Sequence, residues 1–91
     1  MMATIFSTDM SDEMQENIVE GVAHFLDNKG DDHLTNADMR LIRDALASGY
    51  GSSWTCIANS TDTKTKKHIA LLKGNYIYFI LSTYSFIIFN E

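Results

Sequence analysis

The spacing of apolar residues changes twice along this chain. Thr4-Ile5-Phe6-Ser7-Thr8 reads as a short first strand. From Ser11 the spacing becomes three and four. Met14, Ile18, Val22, Phe25 and Leu26 then gather on one side of a helix, with Gln15, Glu16, Glu20 and Asp27 opposite. Ser11 is placed to cap that helix, Asp12 and Glu13 complement its positive end, and Gly30 offers a stop. A second helix is expected to begin at Thr35, with Asp38 three residues on as in a capping box. Its stripe is Met39, Ile42, Ala45 and Leu46, and Gly49 is expected to end it.

Beyond Gly51 the pattern turns to strands. Trp54-Thr55-Cys56-Ile57-Ala58 is one, followed by a polar loop from Asn59 to Lys67. His68-Ile69-Ala70-Leu71-Leu72 is another, closed by a turn at Lys73-Gly74-Asn75. Tyr76 to Phe89 is the most apolar stretch and breaks once, at Ser82-Thr83, as a β-hairpin does. Its runs lack a clean polar face, which predicts cover on both sides. Tyr76, Tyr78 and Ile80 alternate against Phe79 and Leu81. Phe79, Leu81 and Phe86 to Phe89 are expected to serve packing, and the Tyr76 face to meet a partner. The order β-α-α-β-β-β-β predicts an α+β fold, two N-terminal helices packed on an antiparallel sheet.

Composition narrows the function. At 91 residues, 45% hydrophobic, residues 1–91 are expected to form a single domain with one core. Domains this small gain from added buried surface, and oligomerisation is the natural source. A net charge of -5 and a pI near 4.9 argue against nucleic-acid partners, which need a dense basic face. The single cysteine, Cys56, allows no internal disulfide and fits a reducing compartment. The start lacks the basic and apolar regions of a signal peptide. The Tyr76–Phe89 run is shorter than the roughly 20 residues of a membrane helix, so no membrane is expected as partner.

Few residue groups suggest chemistry. Cys56 sits mid-strand beside Trp54, where a cysteine is a small core residue, whereas reactive thiols need an electropositive, open setting. His24, His33 and His68 are scattered and read as surface or groove side chains, not metal ligands. There is no nucleophile elbow or phosphate loop, so neither enzymatic activity nor a cofactor is expected. Asp27 to Asp38 has the length of an EF-hand loop, with Asp27, Asp31, Leu34 and Asp38 at suitable positions. Against calcium, Lys29 stands where an oxygen ligand belongs, and Asp32 where glycine makes the sharp turn. Lys64, Lys66 and Lys67 read as a solvated loop. The neighbouring strand, His68 to Leu72, is a candidate edge for adding a peptide strand.

These segments together resemble the eight-kilodalton dynein light chain family. The resemblance rests on Asp9-Met10-Ser11-Asp12-Glu13-Met14-Gln15, on Ser53-Trp54-Thr55-Cys56-Ile57-Ala58, and on Ile77-Tyr78-Phe79-Ile80-Leu81 with Phe86-Ile87-Ile88-Phe89. It implies a strand-exchanged dimer with two sheets back to back and helices outside. The crossing strand would lie within Lys66 to Leu72. It implies a non-enzymatic light chain of a dynein motor complex that binds extended segments of intermediate chains, or similar disordered scaffold segments, in grooves at the dimer interface. The dimer partner would be a second copy or a second light chain of the family. Location would be cytoplasm and cytoskeleton, with a cilium or flagellum axoneme favoured by analogy. The alternatives are a general peptide-binding hub outside dynein and a calcium-responsive regulator through Asp27–Asp38.

Carried over by position, the resemblance implies a groove of Tyr76, Tyr78 and Ile80 with Lys67, His68, Ile69, Ala70 and Leu71. Thr35 and Asn36 would face the glutamine of a Thr-Gln-Thr type motif. Trp54, Thr55, Cys56 and His68 would lie at the dimer interface. Thr35-Asn36 replaces the family's usual acidic–basic pair, which removes charge-assisted bonds there. Thr55 replaces a histidine that makes dimerisation acid-sensitive in the family, and threonine does not titrate. Ser82 or Thr83 replaces the usual turn glycine.

Overall fold

Short-range hydrogen bonds set the ends of both helices. The fold is taken from a computed structural model, which describes residues 3–30, 33–51, 53–60 and 75–90. Helix α1 spans Asp12–Lys29. The Ser11 hydroxyl accepts from the Met14 amide at 3.2 Å, and Gly30 at φ 84° turns the chain out of the helix. Helix α2 spans Asn36–Tyr50. Thr35 and Asp38 form a complete capping box: the Asp38 amide donates to Thr35 Oγ1 at 3.2 Å and the Thr35 amide to Asp38 Oδ2 at 2.9 Å. The expected stop at Gly49 is corrected to Gly51, at φ 71°, whose N–H reaches the Ala47 carbonyl at 2.8 Å. Trp54 explains the later stop, because its Nε1 donates to the Gly51 carbonyl at 2.8 Å and its ring lies 5.9 Å from that of Tyr50.

The sheet has four described strands: β1 (Ala3–Thr8), β2 (Trp54–Ser60), β3 (Tyr76–Leu81) and β4 (Tyr84–Asn90). Their order is β1-β3-β4-β2, with every neighbouring pair antiparallel. Two helices with an antiparallel sheet bear out the α+β expectation. β2 is longer than expected because Asn59 and Ser60 still pair with Ser85 and Tyr84. The expected strand His68–Leu72 lies outside the described residues. β3 and β4 form the expected hairpin through Ser82-Thr83, and Ser82 takes the left-handed φ of 59° that glycine would hold without cost. β1 carries a bulge between Ile5 and Ser7.

Pairing and alternation sort the strands into two faces. Ile77, Phe79 and Leu81 of β3 face the helices, as do Phe86 and Ile88 of β4, and all five are fully buried. They pack with Ile18, Val22 and Leu26 of α1, Ile42 and Leu46 of α2, and Met10 and Trp54. Phe79 and Phe86 are direct partners with stacked rings 5.2 Å apart. This cluster is the core. It leaves the second face of the sheet to other uses.

Candidate functional site

The second face is built on β3. Tyr76, Tyr78 and Ile80 point away from the core, each half-buried, while their neighbours are fully enclosed. Register extends the face across β4, where Phe89, Ile87 and Ser85 lie opposite Tyr76, Tyr78 and Ile80. It continues on β2 through Thr55, Ile57 and Asn59, the partners of Phe89, Ile87 and Ser85. On β1 the bulge frees Phe6, whose ring stands 5.3 Å from that of Tyr78. Ile87 is only 6% exposed yet stands apart from the core cluster, which marks a second apolar centre. At its margins Phe6 is 57% exposed and Ile57 44%. An apolar face of this kind invites a covering surface.

Tyr76 is held firmly. Its hydroxyl shares a hydrogen bond with Ser7 Oγ at 2.5 Å, and its carbonyl accepts from Thr8 Oγ1 at 2.8 Å. Its amide donates to Asp9 Oδ1 at 2.7 Å. These contacts fix where the phenol sits on the open face, at the end of β3 where the ladder with β1 closes.

The remaining candidate residues divide. Thr55 shares the open face with the tyrosines, whereas Trp54 and Cys56 point to the helix side. Trp54 is buried in the core, and Cys56 is partly buried against it. Burial pushes the Cys56 thiol up to about 12, against the opposing pull of Arg43. Thr35 and Asn36 stand at the start of α2, also on the helix side, where the Leu34 amide donates to the Tyr84 hydroxyl at 3.2 Å. One chain alone therefore does not bring Thr35 and Asn36 onto the face that carries Tyr76, Tyr78 and Ile80. Lys67, His68, Ile69, Ala70 and Leu71 lie outside the described residues.

Of the calcium candidates, Asp27 is exposed at the end of α1, and Asp31 and Asp32 lie outside the described residues. The Asp38 carboxylate takes the Thr35 amide and, at 3.1 Å, Lys29 Nζ. The backbone hydrogen bond from Thr35 leads in holding that carboxyl below its ordinary value, with Lys29 assisting. His24 shares a hydrogen bond with Asn28 at 3.0 Å.

Strand period alone does not place Phe6, Ile57 or Ile87 on the open face. Counting back from a turn at Ser82-Thr83 pairs Tyr78 with Ile87 and would have found the last of them.

A model of the family described as dynein light chain type 1 matches residues 2–91. The chain belongs to the dynein light chain family. Members of this family generally dimerise, bind intermediate chain-like segments and are non-enzymatic. The fold is also similar to solved structures. The dynein light chain-like domain of the Fasciola hepatica calcium binding protein FhCaBP2 superposes with a TM-score of 0.83 at 16% identity, covering 99% of this chain and 91% of that one. The dynein light chain-like domain of CsTAL3 gives 0.75 at 12% identity, covering 97% and 90%. No curated protein matches the chain.

Proposed function

We propose that this dynein light chain is a non-enzymatic subunit of a dynein motor complex, dimeric through its open sheet face, that clamps extended intermediate-chain segments at the dimer interface. The observation that carries the reading is the second apolar centre, Ile87 between Tyr78 and Ile57, with Phe6 and Ile57 left exposed at its margins. Covering that face with a second copy buries apolar surface that a chain of this size needs. A second copy is also what would bring one chain's Thr35 and Asn36 near another chain's Tyr76, Tyr78 and Ile80.

β2 ends the described sheet order, so its outer edge is the natural position for a partner's crossing strand from Lys67 to Leu71. Trp54 and Cys56 then brace the interface from behind while Thr55 meets it. At the start of α2 the first amides, Asn36 and Ala37, lack partners within the helix and are suited to a glutamine side chain. Thr35 is committed to the capping box, and neither it nor Asn36 carries the charge of the family's usual pair at this position. This favours a dedicated partner over a general hub; a cytoskeletal site that includes the axoneme is proposed by analogy with the family alone. Sedimentation of the purified chain with and without a peptide carrying a Thr-Gln-Thr motif tests the reading. A dimer with weak peptide binding is expected. A monomer at neutral pH overturns self-dimerisation, and tight binding of the generic peptide favours the hub.

The calcium alternative rests on the Asp27–Asp38 loop, and the Fasciola hepatica neighbour is described as a calcium binding protein. It would require Asp38 to give up the helix cap and Lys29 together, so it ranks below the motor reading.

A further inference from the structure

The helix layer carries a feature that the dimer and its peptide do not use. Between α1 and α2 runs a cleft of about 620 Å³ whose described lining residues all belong to the two helices. Ile18, Val22, Ile42 and Leu46 form its floor. Leu41 and Tyr50 stand on its α2 side, 56% and 41% exposed. Gly21 opens the α1 side: a Cβ there would meet nothing within 4 Å. A glycine in mid-helix is unfavourable against alanine, and here no neighbour demands it. It keeps the trough open.

The rim is acidic. Glu13, Glu20 and Asp27 are exposed at seven-residue intervals, each three or four residues from the lining residues Asn17 or His24. On α2, Asp44 is exposed three residues from Leu41. Lys29 also lines the cleft, at its far end, and is paired with Asp38. The lining runs from Asn17 to Lys29 on α1 and from Asp38 to Tyr50 on α2, about 18 Å along each helix. That length matches about three helical turns.

We propose that the α1–α2 cleft docks a basic amphipathic helix of a partner protein. Apolar side chains at helical spacing enter over Gly21, and flanking lysines or arginines meet Glu13, Glu20, Asp27 and Asp44. The site is separate from the open sheet face and does not depend on what that face binds.

The test titrates the whole chain with a fluorescent peptide of about 14 residues, with leucines at helical spacing and lysines beside them. Two comparison peptides carry glutamate for lysine, or a central proline. Binding of the basic peptide at roughly micromolar Kd is expected, with amide shifts at Gly21 and Ala45. Gly21→Leu fills the trough and should weaken binding at least about tenfold, while leaving the melting temperature unchanged or higher. Glu20→Lys with Asp27→Lys, both at exposed positions, should weaken it similarly and flatten its salt dependence. Should Gly21→Leu fail to fold, the charge reversals decide alone. Equal binding of the glutamate or proline peptide overturns the proposal, as do shifts confined to the open sheet face. Saturable uptake of a fatty acid without peptide binding also overturns it, and reassigns the cleft to small apolar ligands.

Discussion

Lys29 Nζ stands 3.1 Å from Asp38 Oδ2, so the last turn of α1 is tied to the first turn of α2. The same oxygen accepts the Thr35 amide at 2.9 Å, so one carboxylate both caps a helix and joins two. Because the folded state holds the Asp38 proton more weakly than usual, the sign is that of a depressed carboxyl. Its contribution is full above the ordinary value of 3.8 and drains as pH falls through the lower folded value. Asp38→Asn should therefore lower the melting temperature at neutral pH and make its acid dependence shallower. Thr35→Ala removes the other half of the box and should cost about 1 kcal/mol, or roughly 4–8 °C in Tm. Calorimetry from neutral to acid pH checks both.

Ser82 at φ 59° is a second local expense. A side chain in the left-handed region costs about 1–2 kcal/mol, and the greater unfolded freedom of glycine takes part of that back. Ser82→Gly should stabilise the fold by about 0.5–1 kcal/mol, seen as a rightward shift in urea midpoint at constant slope. An unchanged or lower midpoint would show that the turn is not strained at this residue.

Cys56 should be chemically quiet. With its thiol pushed up to about 12 by burial, little thiolate exists near pH 8. Native protein should resist iodoacetamide and be alkylated once denatured, a difference that mass spectrometry reads directly. Labelling of the folded chain at the rate of a free thiol would sink this.

The proposed dimer should be indifferent to mild acid at its β2 contact, because Thr55 carries no titrating group. Sedimentation from about pH 7.5 to 5.5 reads this position by comparing Thr55→His with the unmodified chain, in which His68 is the expected interface residue able to titrate. Thr55→His should create dissociation on acidification across that range, as a charged imidazole resists burial. Acid dissociation of the unmodified dimer would place the titrating group elsewhere.

Much of this architecture was legible from residues alone, for local reasons. Ser11, Gly30 and Thr35 act through bonds spanning only a few positions, and the hairpin turn is marked by the polar break at Ser82-Thr83. The alternation of Tyr76, Tyr78 and Ile80 was visible because their neighbours differ in kind. Harder was Phe86 to Phe89, where every residue is apolar and only pairing assigns Phe86 and Ile88 to the core and Ile87 to the open face. The stop of α2 at Gly51 in preference to Gly49 depends on Trp54, a contact outside the helix. The candidate site follows the same division. Its tyrosines were found by period, while Phe6 joined them through a bulge that no local pattern announces.

That bulge has a simple meaning for the chain. β1 presents six residues to a neighbour that answers only five of them, and Phe6 is the one left over. Before it, odd-numbered positions turn toward the helices. After it, even-numbered ones do, down to Thr8 and buried Met10. Phe6 thus works as a spacer that resets parity. Deleting it would preserve every other pairing in the strand and leave a ladder without a bulge.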